Sequence, residues 1–198
     1  MNPGTKTALM VFGVIAGIIV VGALSVMGYV TSKYNAMVNM DESVKAAWAQ
    51  VDNQLQRRGD LIPNLVETVK GYAGHERQTL EAVTKARQQA ISFTGSIEDR
   101  AKVENMLTQT LRSLFAVAEA YPDLKANQNF LALQEELATT ENKIGFARQY
   151  YNDMAKQYKN RVEVFPGSIV AGMFKFQAEP FFQLESAQER VAPQVKFQ

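Results

Sequence analysis

The chain has 198 residues, with 21 Lys+Arg, 20 Asp+Glu and a formal net charge of +1. That balance excludes nucleic-acid binding through bulk charge, because a phosphate footprint needs a basic stripe. The lack of any cysteine excludes disulfide scaffolds, thiolate metal sites, cysteine nucleophiles and an acylated N-terminal cysteine, and a single histidine, His75, leaves little for imidazole chemistry.

Charge is unevenly placed. Residues 1–32 contain one charged side chain, Lys6, so everything beyond them carries 20 basic and 20 acidic groups. After a short tail (1–7), Ala8 to Val30 is a run of 23 uncharged residues. As a helix it would be roughly 35 Å long, enough to cross a hydrocarbon core. It is too long for the apolar region of a cleaved signal and ends without a small-x-small site, so residues 8–30 are expected to be a retained transmembrane helix in contact with lipid. Lys6 on one flank and Lys33 on the other nearly balance, so the flanking charge does not set the orientation. Gly13 and Gly17 form a GxxxG pair, the spacing of a packing face between spans, although a simple anchor tolerates it equally.

Residues 31–164 read as helical bundle. Tyr34, Met37, Val38, Val44, Trp48, Val51 and Leu55 recur mostly at steps of three and four, as one helix face does. At Arg57-Arg58-Gly59-Asp60 a turn is expected, with Gly59 ending one helix, Asp60 capping the next and Pro63 in its first turn. Ile62, Val66, Val69, Ala73, Leu80 and Val83 give the second stripe, with Gly71 and Gly74 favouring a bend. That helix should end near Phe93-Thr94-Gly95. Ser96-Ile97-Glu98-Asp99 then resembles a capped helix start, and Tyr121-Pro122-Asp123 a stop. The last helix should run from Asn127 to Val162, about 54 Å if straight. Long helices with short connections predict an all-α protein: a span, then an elongated antiparallel bundle. The segment 165–198 holds six of the eleven phenylalanines, too apolar for a disordered linker. It should pack on the bundle or on a neighbour, with Phe174, Phe176, Phe181, Phe182 and Phe197 as candidate subunit or lipid contacts.

Several stretches resemble the LemA family of bacterial membrane proteins: Tyr34-Asn35, Ala47-Trp48, Gln50–Glu76, Leu133–Asp153, Phe165–Phe176 and Ala192–Phe197. The resemblance implies a single-pass protein of the bacterial inner membrane with a helical domain, and it carries no defined molecular activity.

Candidate chemistry is sparse. Arg57, Arg58, Asp60 and Pro63 are either a docking motif, with the arginines facing a partner carboxylate or lipid phosphate, or a helix corner whose arginines pair with acids on another helix. His75-Glu76 lacks the second histidine of a zinc hydrolase, since Thr79 stands there, and Tyr72 stands where a bundle di-iron site would need Glu. Glu135, Glu136 and Glu141, with Asn142, Asn152 and Asp153, read as a solvated face with some interhelical ion pairs. Asp41 and Thr140 interrupt apolar stripes and could set register as a buried polar pair. No phosphate loop, serine elbow or dinucleotide fingerprint occurs. The expectation is therefore no catalytic, metal or cofactor site and no nucleic-acid partner. A homo-oligomeric scaffold is expected, with an adaptor for another membrane protein, such as a protease or envelope-remodelling factor, as the alternative.

Overall fold

The computed structural model describes residues 3–183 and is built from helices. These are α1 (Pro3–Tyr72), α2 (Arg77–Ser92), α3 (Ile97–Ala118), α4 (Pro122–Lys125), α5 (Gln128–Glu163) and α6 (Gly167–Phe174). Among the described residues the chain forms two compact units. One takes the residues up to Ser43 with Gln157–Ala178, and the other takes Val44–Lys156 with the residues from Glu179 onward.

In the first unit, the apolar run stands exposed along α1, from Leu9 through Met27. It is long and apolar enough to cross a membrane. Within the run Ser25 Oγ donates to Val21 O at 2.8 Å, as a lipid environment requires, and just past it Thr31 Oγ1 donates to Met27 O at 2.9 Å. Past the run, Met37, Tyr158, Val162, Val170 and Ala171 are buried together with Gly167. A side chain at Gly167 would collide with the Arg161 carbonyl and press on Met37, so glycine lets the chain turn closely over the end of α5. Lys175, in the left-handed conformation (φ 60°), ends α6, and Phe176 N–H donates to Ala171 O at 3.0 Å.

The second unit is a four-helix bundle. Side-chain pairs from α1 to α5 (Trp48 with Tyr151, Arg57 with Glu136) and to Asn127 just ahead of α5 (from Tyr72) run in opposite chain directions, so these helices are antiparallel. Between α1 and α3 the pairs Asp52–Arg100 and Arg58–Glu104 run in the same direction. This is the up-down-up-down arrangement that short connections favour. Ile62, Leu65 and Val69 of α1, Leu80 and Val83 of α2, Leu107, Leu111 and Leu114 of α3, Leu124, and Phe130 and Leu137 of α5 form the core. Ser96 caps α3 by accepting from Asp99 N–H at 3.1 Å, and Asn127 Oδ1 accepts from Phe130 N–H at 3.0 Å at the start of α5.

The expected corner at residues 57–60 does not exist. α1 passes through Gly59, Asp60 and Pro63 without interruption and ends at Tyr72, and the reversal falls at Ala73–Glu76. The reason is tertiary. Pro63 has no N–H for the carbonyl four residues back, that of Gly59. Arg87 of α2 supplies the missing donor, its Nε lying 2.6 Å from Gly59 O. Gly59 allows the approach, because a Cβ there would sit 3.3 Å from Ile91 Cδ1. Glycine and proline thus serve the α1–α2 contact rather than a turn.

Replacing Arg87 by Met should lower the bundle's stability by about 1.5–3 kcal/mol, the range for a charged hydrogen bond. Adding Pro63→Ala, which restores an N–H to Gly59 O, should recover much of that loss. Urea unfolding of the detergent-solubilised chain, followed by the fluorescence of its one tryptophan, Trp48, reads both. Equal effects of Pro63→Ala in the two backgrounds would show that Arg87 does not compensate.

Candidate functional site: a buried ionic lock and a clamped tail

The α1 stripe Val51, Leu55, Ile62, Leu65, Val69 is completed by an arginine. Arg58 occupies an inward position and has no solvent exposure. A guanidinium there needs partners on every side. Its Nη2 donates to Glu104 Oε2 at 2.5 Å, and its Nη1 donates to Glu141 Oε1 at 2.5 Å and to Thr108 Oγ1 at 2.9 Å. Glu104, buried as well, takes a second cation: Arg100 Nε donates to its Oε1 at 2.9 Å, and Arg100 Nη2 reaches Asp52 at 3.3 Å. The network therefore joins α1, α3 and α5, with two guanidinium groups around one fully buried carboxylate. Arg58 Nε has no partner there, and neither does the buried Gln54 Oε1.

Arg57 points outward and pairs with Glu136 at 2.9 Å, both half-exposed. The arginines thus pair with acids on other helices, and the burial of Arg58 removes it from any docking surface. Asp60 and Pro63 are exposed positions within α1. Thr140 is buried, and its hydroxyl donates to Glu136 O of its own helix at 2.8 Å. His75 is exposed in the α1–α2 turn. That turn is tied to the α3–α5 connection by Tyr121 OH donating to Glu76 at 3.1 Å and Asn127 Nδ2 donating to Tyr72 OH at 2.8 Å. The hydrogen bond to Glu76 raises the Tyr121 phenol above its ordinary range. Among the described residues, no group of three His, Asp or Glu side chains converges as metal ligands.

The tail has its own seat. Asn152 receives the backbone of Phe182 from both sides: its Nδ2 donates to Phe182 O at 3.1 Å, and Phe182 N–H donates to its Oδ1 at 2.9 Å. The carboxamide thus imitates a neighbouring strand. Phe182 is fully buried, with its ring 5.2 Å from that of Trp48, which also meets Tyr151 at 5.3 Å. Tyr151 OH donates to Pro180 O at 2.7 Å. Burial, then the charge of Glu179, push the Tyr151 phenol far above its ordinary value of 10.0. Phe182 is consequently spent on its own bundle and is not presented to a neighbour or to lipid. Phe181 is partly buried, Phe174 and Phe176 lie against Tyr34, and Phe197 lies outside the described residues. Gly13 and Gly17 stand clear of other chain segments: a Cβ at either would meet nothing within 4 Å outside its own helix backbone.

Sequence reasoning missed Asn152, Tyr151, Glu104 and Arg100 as parts of these sites. For Arg58 a signal was present, because it falls in phase with Val51, Leu55 and Ile62.

Among the described residues, these features define an all-helical protein with one membrane-length helix and a bundle pinned by buried charge. The family model described as the LemA family matches residues 47–197. The chain belongs to the LemA family. It is similar to magnetosome protein MamQ 2 of Paramagnetospirillum magneticum, with 22% identity over 203 residues covering 88% of this chain and 75% of the relative. MamQ of Magnetospirillum gryphiswaldense is 20% identical, at the same two coverages. Protein LemA of Metamycoplasma hominis is 23% identical over 155 residues, covering 78% of this chain and 70% of the relative.

Breaking the lock from one side should be costly. Arg58→Met leaves the buried Glu104 with Arg100 as its only cation and takes the guanidinium from Glu141, and should cost about 3–5 kcal/mol. The double variant Arg58→Met/Glu104→Leu should lose far less than the sum of its single changes, and a double-mutant cycle of urea unfolding free energies checks this.

Tyr151 gives a pH signature. The folded state holds its phenol neutral, so its contribution is complete below the unfolded value near 10 and is lost as pH rises beyond it. Tyr151→Phe should cost about 1 kcal/mol at neutral pH, yet its stability should fall less steeply than wild type above about pH 10. Parallel alkaline profiles of the two proteins would contradict the assignment.

Proposed function

We propose that this chain is a membrane-anchored helical scaffold of the bacterial inner membrane that acts by homo-oligomerisation, without catalysis. The observation that carries the reading is an aromatic patch on the bundle. Phe146 is 74% exposed and Tyr150, one turn further along α5, is 46% exposed. Beside them lie Gln50, Asn53 and Gln54 of α1 and Lys143 of α5. Aromatic groups ringed by amides, with little charge, have the composition of a protein–protein contact. The bundle's other polar resources support the reading by their use elsewhere, since its arginine–carboxylate chemistry is invested in the fold. An open groove between α1 and α2 presents Glu67, Lys70, Arg77, Glu81 and Lys85, charges of both signs, of which Lys70 pairs with Glu67 at 3.5 Å.

Mass photometry of the full chain in lipid nanodiscs or mild detergent tests this. Wild type should form a discrete multimer, and Phe146→Ala/Tyr150→Ala should weaken it about tenfold or more in concentration. A strictly monomeric wild type overturns the scaffold reading. A wild-type monomer that co-purifies with another membrane protein supports the adaptor instead. If the double variant stays multimeric while Gly13→Leu/Gly17→Leu does not, the contact lies in the span.

A further inference from the structure

Helix α6 poses a physical problem that the bundle does not solve. Its sequence, GSIVAGMF, contains no charge. One face is used within the first unit, where Gly167, Val170 and Ala171 are buried. The opposite face carries Ile169 (57% exposed) and Met173 (64%), and is extended by Phe165 (75%) just before the helix, whereas Phe174 lies in phase with the buried residues. Three large apolar side chains at steps of four, on and just before so short an element, form a patch of the kind that soluble surfaces avoid.

What covers this face follows from where the same unit holds it. Phe174 and Phe176 pack at a tilt against Tyr34, with ring centroids 4.7 and 5.6 Å away. Tyr34 lies four residues beyond Val30, the end of the apolar run, which is roughly 6 Å further along the helix axis. One turn back, Lys33 Nζ lies 5.5 Å over the Tyr29 ring, and tyrosines with lysine at a span's end mark the headgroup level. The cleft at the start of α6 is lined by Lys33, Arg161 and Phe165, two cations beside an aromatic ring. Neither cation is held in an ion pair among the described residues.

We propose that α6 is an in-plane membrane-interface helix: its outer face, formed by Phe165, Ile169 and Met173, lies in the bilayer surface beside the span, with Lys33 and Arg161 toward lipid phosphates. The occupant is lipid because the patch sits at the depth where the span leaves the hydrocarbon, and because its flanking charge is basic, matching anionic headgroups. The chain then holds the membrane at two points, the span and α6. The inference rests on the reading of residues 8–30 as a span.

A chain without cysteine makes the test direct. Full-length protein carrying a single Ile169→Cys or Met173→Cys is spin-labelled and reconstituted into vesicles of phosphatidylcholine and phosphatidylglycerol. Val20→Cys serves as the span reference and Arg77→Cys as the aqueous one. Labels at 169 and 173 should be accessible to oxygen and shielded from a water-soluble nickel chelate, at a depth of about 5–10 Å below the headgroups. Labels at 169 and 173 that respond like Arg77→Cys, with Val20→Cys still in lipid, overturn the interfacial helix and leave the span standing. An aqueous Val20→Cys label overturns the span itself. Shielding of 169 and 173 from both reagents would also overturn the proposal, since the face would then be covered by protein.

Discussion

A guanidinium removed from water constrains every helix that touches it. Arg58 sits with no exposure among Glu104, Glu141 and Thr108, so α1, α3 and α5 must meet at one height for its charge to be met. Apolar stripes alone tolerate a slip of one turn, because one leucine replaces another. A slip here would strand Arg58 opposite aliphatic side chains and leave Glu104 with Arg100 as its only cation. Removing either charge leaves its partner desolvated, and that asymmetry makes the pair a constraint on register whatever its net stabilisation. The placement of Trp48 against Tyr151, and thus of the groove that takes Phe182, follows from the same α1–α5 register.

The Pro63–Gly59–Arg87 arrangement applies the same logic to the backbone. A proline inside a helix frees a carbonyl, and a freed carbonyl in a part-buried place needs a donor. Arg87 provides it from α2, so the position that would weaken α1 in isolation becomes a point of attachment between helices. The reversal then moves to Ala73–Glu76, where Gly74 and two tyrosine-mediated hydrogen bonds hold the end of the bundle.

How much of this could be read in advance follows the range of each interaction. The apolar run, the Ser96 cap and the limits of α5 depend on neighbours a few residues apart, and they were legible to within a residue or two. The Arg57–Pro63 stretch was misread because arginine, glycine, aspartate and proline are turn residues by local preference. Yet Val51, Leu55, Arg58, Ile62, Leu65 and Val69 keep one helical phase straight through it. Reading Arg58 as a member of the stripe would have kept α1 whole and marked a buried charge in search of acids. The seat of Phe182 had no comparable signal. It depends on the carboxamide of Asn152, 30 residues away, and on Trp48 far earlier in the chain, and neither spacing has a periodic trace.

The two exposed apolar surfaces differ in what surrounds them, and that difference decides what each can meet. Around Phe146 and Tyr150 stand amides and a lysine, mostly neutral groups whose hydrogen bonds another protein surface can match. Around α6 stand Lys33 and Arg161, whose charges would be costly to bury against an apolar protein face but which phosphate headgroups meet without loss of hydration on both sides. A chain whose charges balance beyond residue 32 has little long-range field with which to choose partners. In the proposed reading, selection falls to these short-range rims, the amide rim meeting a second protein and the basic rim meeting lipid. A substitution that exchanged their character, such as an acidic side chain at Lys33, would weaken membrane contact without touching the lock that holds the bundle together.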